Sequence, residues 1–210
     1  MTTRLDGLTV TAAQHVVAAG QALDAGLVDQ ASHYLSSVTA IFPDHPEVLR
    51  MLAGIQGMRG EHRESVRTMR RALALRPDDA GYHNTLGTLL GQSGEYDAAI
   101  SALQRTCELQ PDMAMAWYNL GVMLVRSVRN EEALRVLQRA VALAPDHMQA
   151  RALLADMLRM RGETEQAAAE YRRVIAEQSW AGMAWWGLAD LRTTRLDEKD
   201  IQQMQQALRQ

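Results

Sequence analysis

Four of the five prolines recur at a constant interval of 34 residues. They are Pro43, Pro77, Pro111 and Pro145, and Pro46 alone stands outside the series. A period in this range is typical of arrays in which each unit buries its apolar face only against its neighbours. The spacing therefore predicts a stack of similar units and argues against one large core in a chain of 210 residues.

Alignment on these prolines places similar side chains in register from one unit to the next. Small residues fill two columns, Ala53, Gly87, Gly121, Ala155 and Ala189 in one and Ala31, Ser65, Ala99, Ala133 and Ala167 in the other. Large residues fill two more, Leu52, Leu86, Leu120, Leu154 and Leu188, and Leu35, Met69, Leu103, Leu137 and Tyr171. Small residues let two helices cross closely while large neighbours fill the flanking space, so these columns predict recurring contacts between helices.

Each unit is predicted to be a pair of helices joined by a tight turn. Apolar residues recur at spacings of three and four over Ala114 to Arg126 and over Asn130 to Leu143. The turn column contains Gly26, Gly60, Gly94 and Gly162, with Val128 in the fourth unit. Each periodic proline is expected to end the second helix, and the aspartate after it, as in Pro77-Asp78, to cap the next one. An aromatic share of only 5% also favours helices over sheets.

The fourth unit carries a recognisable motif, Trp117-x-x-Leu120-Gly121 followed by Ala133-x-x-x-Leu137 and Pro145. It resembles the tetratricopeptide repeat. The resemblance implies an all-α fold, a right-handed superhelical solenoid of about six helix-turn-helix repeats. The expected divisions are an N-terminal leader, 1–11, and repeats at 12–45, 46–79, 80–113, 114–147 and 148–181, with a partial capping repeat at 182–210. The pattern departs at the ends of the array, where Ala18 replaces the usual leucine and Ser179 the proline.

Tetratricopeptide proteins usually hold extended peptides in a concave groove lined by the first helix of every repeat. The resemblance places ten residues in that groove: Arg50, Asn84, Thr88, Tyr118, Asn119, Arg126, Asp156, Arg159, Trp186 and Asp190. Amides bond to peptide backbones and arginine pairs with carboxylates, although any exposed helix face is also polar. The lysines that chaperone-tail receptors of this family use have no counterpart, since Lys199 is the only lysine.

The C-terminal end gathers Trp180, Trp185 and Trp186. Trp185 falls in the tryptophan column of the repeat and is expected in the core, which leaves Trp186 facing the groove or a neighbour. The stretch AWWGLADLRTTRLDEKDIQQM, residues 184–204, resembles the last repeat of bacterial proteins in which such an array precedes a sulfotransferase domain. That likeness implies a recognition module of a sulfotransferase or a stand-alone relative.

Catalytic, metal and cofactor motifs are not found, so neither an enzyme activity nor a cofactor is expected. The six histidines lack the paired spacing of a helical metal site, and no glycine-rich phosphate loop occurs. Cys107, the single cysteine, excludes an internal disulfide and is expected to pack in the core. The N-terminal residues lack the apolar region of a signal peptide or a membrane span, so cytoplasmic residence without membrane contact is expected.

Charge gives one further candidate surface, the stripe Arg59, Arg63, Arg67 and Arg71. It is interpreted as a solvated convex face partly neutralised by Glu61 and Glu64, with an acidic partner as the alternative. A net charge of −3 argues against nucleic-acid binding.

Two classes of function remain open at this point. The first is a non-catalytic scaffold that binds a protein or peptide segment in the groove, with presentation to a sulfotransferase as its more specific form. The second is a structural array that self-associates through Trp186 and the final helix, without a separate ligand.

Overall fold

The computed structural model describes residues 4–178, 181–191, 196 and 198–207, which form two compact units. All regular structure in these ranges is α-helical, as the sequence predicts. The N-terminal unit, Met1–Pro111, contains α1 (Val10–Asp24), α2 (Val28–Ile41), α3 (Pro46–Met58), α4 (His62–Leu75), α5 (Ala80–Gln92) and α6 (Tyr96–Leu109). The C-terminal unit, Asp112–Gln210, contains α7 (Ala114–Arg126), α8 (Asn130–Leu143), α9 (Met148–Arg161), α10 (Thr164–Glu177), α11 (Gly182–Asp190) and α12 (Glu198–Ala207).

Within each unit the helices pack mainly as consecutive pairs. In the N-terminal unit α1 packs on α2, α3 on α4 and α5 on α6, and in the C-terminal unit α7 packs on α8 and α9 on α10. The second helix of a pair also contacts the first helix of the next, as α4 does with α5 and α10 with α11. The predicted helices of the fourth repeat coincide with α7 and α8. Helix pairs that stack on their neighbours are therefore the structural repeat.

The small columns mark the close helix crossings, as predicted. The column from Ala31 to Ala167 is fully buried throughout, and the partner column from Leu35 to Tyr171 is at most 2% exposed. At Gly87 an added Cβ would lie 2.6 Å from Leu103 Cγ, so only glycine fits that crossing without a shift. Burial of these side chains against neighbouring helices supplies the main apolar stabilisation of each unit.

The last repeat departs from this pattern. Ala189 is exposed, whereas the sequence alignment predicts that it lies at a crossing. Gly187 takes that role instead, because its missing side chain leaves room for the Tyr171 ring of α10. Ser179 and Trp180 lie outside the described residues, as do residues 192–195.

Helix ends follow the prolines, but the predicted caps are wrong. Helices α2, α4, α6 and α8 each end two residues before a periodic proline, consistent with the extended backbone that proline imposes on the residue before it. The cap of the next helix falls one residue later than the predicted aspartate. Asp79 Oδ1 accepts a hydrogen bond from Tyr82 N at 3.1 Å, while Asp78 pairs with Arg105 at 3.1 Å. Asp44 likewise pairs with Arg71, and His45 caps α3.

The leader packs against the N-terminal unit. Leu5 and Leu8 pack against the core formed by α1, α2 and α3. Thr9 Oγ1 accepts a hydrogen bond from Ala12 N at 3.2 Å and so starts α1 at Val10, within the residues that the sequence assigns to the leader.

Candidate partner-binding surfaces

Four of the ten predicted groove residues come together in the C-terminal unit. Asp156 and Arg159 lie one turn apart on α9, and Trp186 and Asp190 lie one turn apart on α11. Both helices pack against α10, which brings these two surfaces side by side. We call these four residues the α9–α11 face.

Arg159 is the centre of the α9–α11 face. Its Nη1 donates to Asp190 Oδ2 at 2.9 Å, and its guanidinium carbon lies 5.5 Å from the centroid of the Trp186 ring. Its Nε donates to Tyr171 Oη at 3.3 Å, and that hydroxyl donates in turn to Asp156 Oδ1 at 2.6 Å. Contacts from α10 and α11 therefore hold the arginine of α9 in one orientation.

Tyr171 forms the buried floor of this face. Its side chain is 1% exposed, and a Cβ on Gly187 would lie 2.7 Å from its Cε1 and from its Oη. Burial, and then the hydrogen bond to Asp156, raise the pKa of the Tyr171 phenol well above its usual range. The hydroxyl therefore stays protonated at neutral pH and serves both as a donor to Asp156 and as an acceptor for Arg159.

The face keeps binding capacity toward solvent. The hydrogen bond to Tyr171 is the main factor that raises the pKa of Arg159, assisted by the charges of Asp156 and Asp190 and opposed by burial. Arg159 Nη2 lies 4.0 Å from Asp156 Oδ1, which is beyond hydrogen-bond distance. The N–H groups of Nη2 are therefore oriented by the rest of the guanidinium but do not donate to Asp156. Trp186 is 57% exposed. An apolar anchor and an oriented donor thus lie side by side.

The other candidates of the C-terminal unit lie on α7. The Tyr118 ring packs on His147, with the ring centroids 4.7 Å apart and the planes tilted by 44°. Asn119 is half-buried, and Arg126 is exposed in the last turn of the helix. His147 also caps α9, so Tyr118 contacts the start of the helix that carries Arg159.

In the N-terminal unit, Arg50 forms an ion pair with a buried residue of its own helix. Its Nε and Nη2 donate to Glu47 Oε1 at 3.0 and 2.6 Å. Glu47 is only 4% exposed and also accepts a hydrogen bond from Tyr82 Oη at 3.0 Å. Asn84 and Thr88 lie half-buried on α5, where Thr88 Oγ1 donates to the Asn84 carbonyl at 3.0 Å.

Sequence reasoning missed the buried residues that organise these surfaces. The repeat pattern places Tyr171 only in a packing column, although it is a tyrosine where the other members are leucine or methionine. Tyr82 stands in register with Val48, Ala116 and Ala150, all of them buried. A phenol in an otherwise aliphatic column indicates a hydrogen-bond partner in the core, and that was the available signal.

The arginine stripe is exposed and largely paired. Arg59, Arg67 and Arg71 form ion pairs with Asp29, Glu64 and Asp44 at 3.4, 2.7 and 2.6 Å. Glu64 is a predicted partner, whereas Asp29 and Asp44 come from the preceding repeat. Such exposed pairs contribute little stability.

The single cysteine lies in the core, as the sequence predicts. Cys107 is buried, and burial, followed by the charge of Glu108, raises the pKa of its thiol to about 11. Over the described ranges, histidine, cysteine, aspartate and glutamate form no group of three or more that could hold a metal ion. Nor does any helix there have the length and apolar character needed to cross a membrane.

Paired helices with small residues at their crossings, and with a positive-φ residue in the turn of each of the first five pairs, define a helical-repeat protein. Sequence profiles of the tetratricopeptide repeat match residues 22–89, 84–142 and 124–184, which together cover most of the chain. The chain belongs to the tetratricopeptide repeat family.

Solved structures with this fold are numerous. PilF of Pseudomonas aeruginosa superposes with a TM-score of 0.79 at 18% identity, over 95% of this chain and 88% of PilF. MamA from Desulfovibrio magneticus RS-1 superposes with a TM-score of 0.68 at 22% identity, over 82% of this chain and 98% of MamA. YrrB is described as having an unusual peptide-binding site. It superposes with a TM-score of 0.66 at 18% identity, over 83% of this chain and 91% of YrrB. No curated protein sequence matches the chain significantly.

Proposed function

We propose that the chain is a non-catalytic scaffold that binds a protein or peptide segment on the α9–α11 face. The observation that carries this proposal is the exposed Trp186 ring beside an arginine of α9 that contacts from α10 and α11 hold in place. Aromatic and arginine side chains contribute most to binding energy at protein interfaces. The peptide-binding site described for YrrB, which shares the fold, supports the same class of function.

The face favours an extended segment with an apolar side chain. Such a side chain would pack on the open surface of Trp186, and a backbone carbonyl or a carboxylate of the segment would accept from Arg159 Nη2. Because Tyr171 and Asp190 already orient the guanidinium, little additional side-chain order is lost on binding. Asp156 and Asp190 flank that site and disfavour segments with several acidic residues.

Binding is tested with peptides selected from a random display library on the wild-type chain. The dissociation constant of the selected peptide is then measured for Trp186→Ala and for Met183→Ala. Both side chains are exposed on α11, and that of Met183 is 79% exposed. Neither change therefore removes core packing. We expect Trp186→Ala to weaken binding at least about 30-fold, equivalent to about 2 kcal/mol, and Met183→Ala less than about 3-fold. Equal losses in both variants would overturn the proposed site.

The remaining predicted groove residues, including Asn84, Thr88, Asn119 and Arg126, extend this proposal to further contacts. Asn119→Ala and Arg126→Ala test the α7 positions with the same peptide. Unchanged affinity in both variants would remove α7 from the binding surface.

Self-association is the second candidate function. Large apolar side chains are exposed on both C-terminal helices, Met183 and Trp186 on α11 and Ile201 on α12. Such side chains bury most surface when a second copy covers them. Light scattering after size-exclusion chromatography tests for self-association. A self-interface at this surface predicts that the wild type is a dimer and that Trp186→Ala dissociates it. A monomer in both proteins would overturn it.

The more specific role, recognition of a substrate for a sulfotransferase, rests on the likeness of residues 184–204. Residues 192–195 and 197 of this stretch lie outside the described residues. This form of the proposal requires a sulfotransferase domain with a phosphate loop in the same reading frame or in an interacting protein. A reading frame that stops at Gln210 would overturn the fused form. A cytoplasmic location belongs to the same proposal, supported by the free thiol of Cys107.

A further inference from the structure

The leader places one side chain in a socket on the N-terminal unit. Arg4 Nη2 donates to Asp79 Oδ1 at 2.8 Å, and its Nε donates to Asp79 Oδ2 at 3.2 Å. The guanidinium carbon lies 5.6 Å from the centroid of the Tyr82 ring. The arginine is therefore recognised by both a planar fork on a carboxylate and an aromatic ring.

The helices build this socket. Asp79 is fixed as the cap of α5, where Oδ1 accepts the backbone N–H of Tyr82 at 3.1 Å. Tyr82 is fully buried and donates to Glu47, which Arg50 holds from the other side. All these groups belong to α3, α5 and the residue that caps α5, so the socket is built without residues of the leader.

A glycine makes room for the guanidinium. A Cβ on Gly81 would lie 3.1 Å from Arg4 Cζ and closer still to Nη2. Any larger residue at this position of α5 would displace the arginine. The backbone of Gly81 therefore forms one wall of the socket.

Further contacts hold the described part of the leader on the N-terminal unit. His45 Nε2 lies 3.0 Å from the Asp6 carbonyl oxygen, and Leu5 and Leu8 pack on the core of α1, α2 and α3. The Arg4 side chain remains 45% exposed although its charge is paired. Exposed ion pairs contribute at most about 1 kcal/mol, so a competing arginine has only a weak contact to displace.

We propose that the socket of Asp79, Gly81 and Tyr82 is an arginine-binding site and that Arg4 is its internal occupant, displaced by an arginine-bearing segment of a partner protein. The neighbouring Glu47 is neutralised by Arg50, so withdrawal of Arg4 leaves the Asp79 carboxylate without its cation. Lysine is a poorer occupant, because a single ammonium group cannot form a planar fork with the carboxylate. The site is separate from the α9–α11 face and does not depend on it.

The test uses the full chain with Arg4→Ala, which vacates the socket without altering α3 or α5. N-acetyl-arginine amide is titrated at millimolar concentrations into the ¹⁵N-labelled protein, and the backbone resonances of residues 79–82 are followed. We expect binding about 3- to 5-fold tighter to Arg4→Ala than to the wild type, where Arg4 competes as a weak internal occupant. Equal affinity for the two proteins, or no binding to Arg4→Ala, would overturn the proposal.

Two controls separate recognition of arginine from weak binding in general. N-acetyl-citrulline amide has nearly the same shape without the charge, and we expect about 3- to 5-fold weaker binding of it to Arg4→Ala. Asp79→Asn in the same background removes the charge but keeps an oxygen that can cap α5, and it should abolish the arginine response. Equal binding of citrulline or of N-acetyl-lysine amide, or an unchanged response after Asp79→Asn, would overturn the assignment. Loss of helical circular dichroism would identify an unfolded variant, and Asp79→Ser then replaces it.

Discussion

The guanidinium of Arg159 on α9 lies over the indole of Trp186 on α11, 5.5 Å from the ring centroid. The two residues come from consecutive repeats, and the tyrosine between them, Tyr171, belongs to the helix that joins those repeats. The orientation of the α9–α11 face is thus set by the same contacts that stack one repeat on the next. Stability measurements on the supporting residues therefore test the site as well as the fold.

Replacement of Tyr171 by phenylalanine removes the hydroxyl that links Arg159 to Asp156 and keeps the ring against Gly187. We expect a loss of about 1–2 kcal/mol in the free energy of unfolding, because two hydrogen bonds to charged partners disappear while both partners regain water. Urea denaturation measures the change. Tyr34→Phe is the matched control, since the Tyr34 hydroxyl accepts a long, exposed hydrogen bond from Gln30 Nε2 at 3.5 Å. A loss no larger than that of the control would contradict the described network.

Gly187→Ala tests the close approach of α10 and α11. The added Cβ would lie within 2.7 Å of the Tyr171 ring, so we expect destabilisation by about 1–3 kcal/mol. Gly182→Ala on the same helix has no atom within 4 Å of the new methyl group and should leave stability within about 0.5 kcal/mol. The midpoints of thermal unfolding of the two variants are compared. Similar midpoints would contradict the close approach of α10 and α11 at Gly187.

The turn of the fourth repeat contains a strained residue. Val128 has φ of 59°, whereas Gly26, Gly60, Gly94 and Gly162 adopt φ of 74° to 83° at the equivalent turns. Left-handed backbone costs a residue with a Cβ about 1–2 kcal/mol, and the greater freedom of glycine in the unfolded chain offsets part of the gain.

Val128→Gly should therefore stabilise the chain by about 0.5–1 kcal/mol in chemical denaturation. The reciprocal change, Gly94→Val, should destabilise it by at least about 1 kcal/mol. Destabilisation by Val128→Gly would show that the left-handed backbone at Val128 is not strained.

Cys107 gives the chain a pH dependence in the alkaline range. The folded state raises the pKa of this thiol to about 11, above the value of about 8.5 for an unfolded chain. Between these values the folded state retains a proton that the unfolded state has lost, so the contribution of Cys107 to stability falls as pH rises.

We expect the stability difference between the wild type and Cys107→Ala to shift against the wild type from pH 8 to pH 10. The folded thiol should also react with a disulfide reagent at pH 8 far more slowly than the urea-unfolded thiol. Equal reaction rates, or a stability difference independent of pH, would show that the thiol is not protected by folding.

Most of the helical framework could be predicted, since the 34-residue period and the packing columns follow from the requirement that helices cross closely. The helix bounds of α7 and α8 and the buried position of Trp185 are confirmed. The capping aspartates were misplaced by one residue, because sequence alone does not distinguish a cap from the position before it.

The candidate surfaces were less predictable. The positions of Trp186 and Arg159 follow from helical spacing, but their contact depends on how α9 and α11 pack on α10. The fork between Arg4 and Asp79 joins residues far apart in sequence, and no periodicity connects them. Such pairings arise from tertiary packing, which a single sequence does not specify.

The central claim is that a partner segment binds across Trp186 and Arg159. Its most direct test is the indole N–H resonance of Trp186, assigned through Trp186→Phe among the four tryptophans, while a library-selected peptide is titrated into the ¹⁵N-labelled chain. We expect this resonance to shift to saturation with the dissociation constant of the peptide, and that of the buried Trp185 to shift less. An unmoved Trp186 resonance at saturating peptide would contradict the claim.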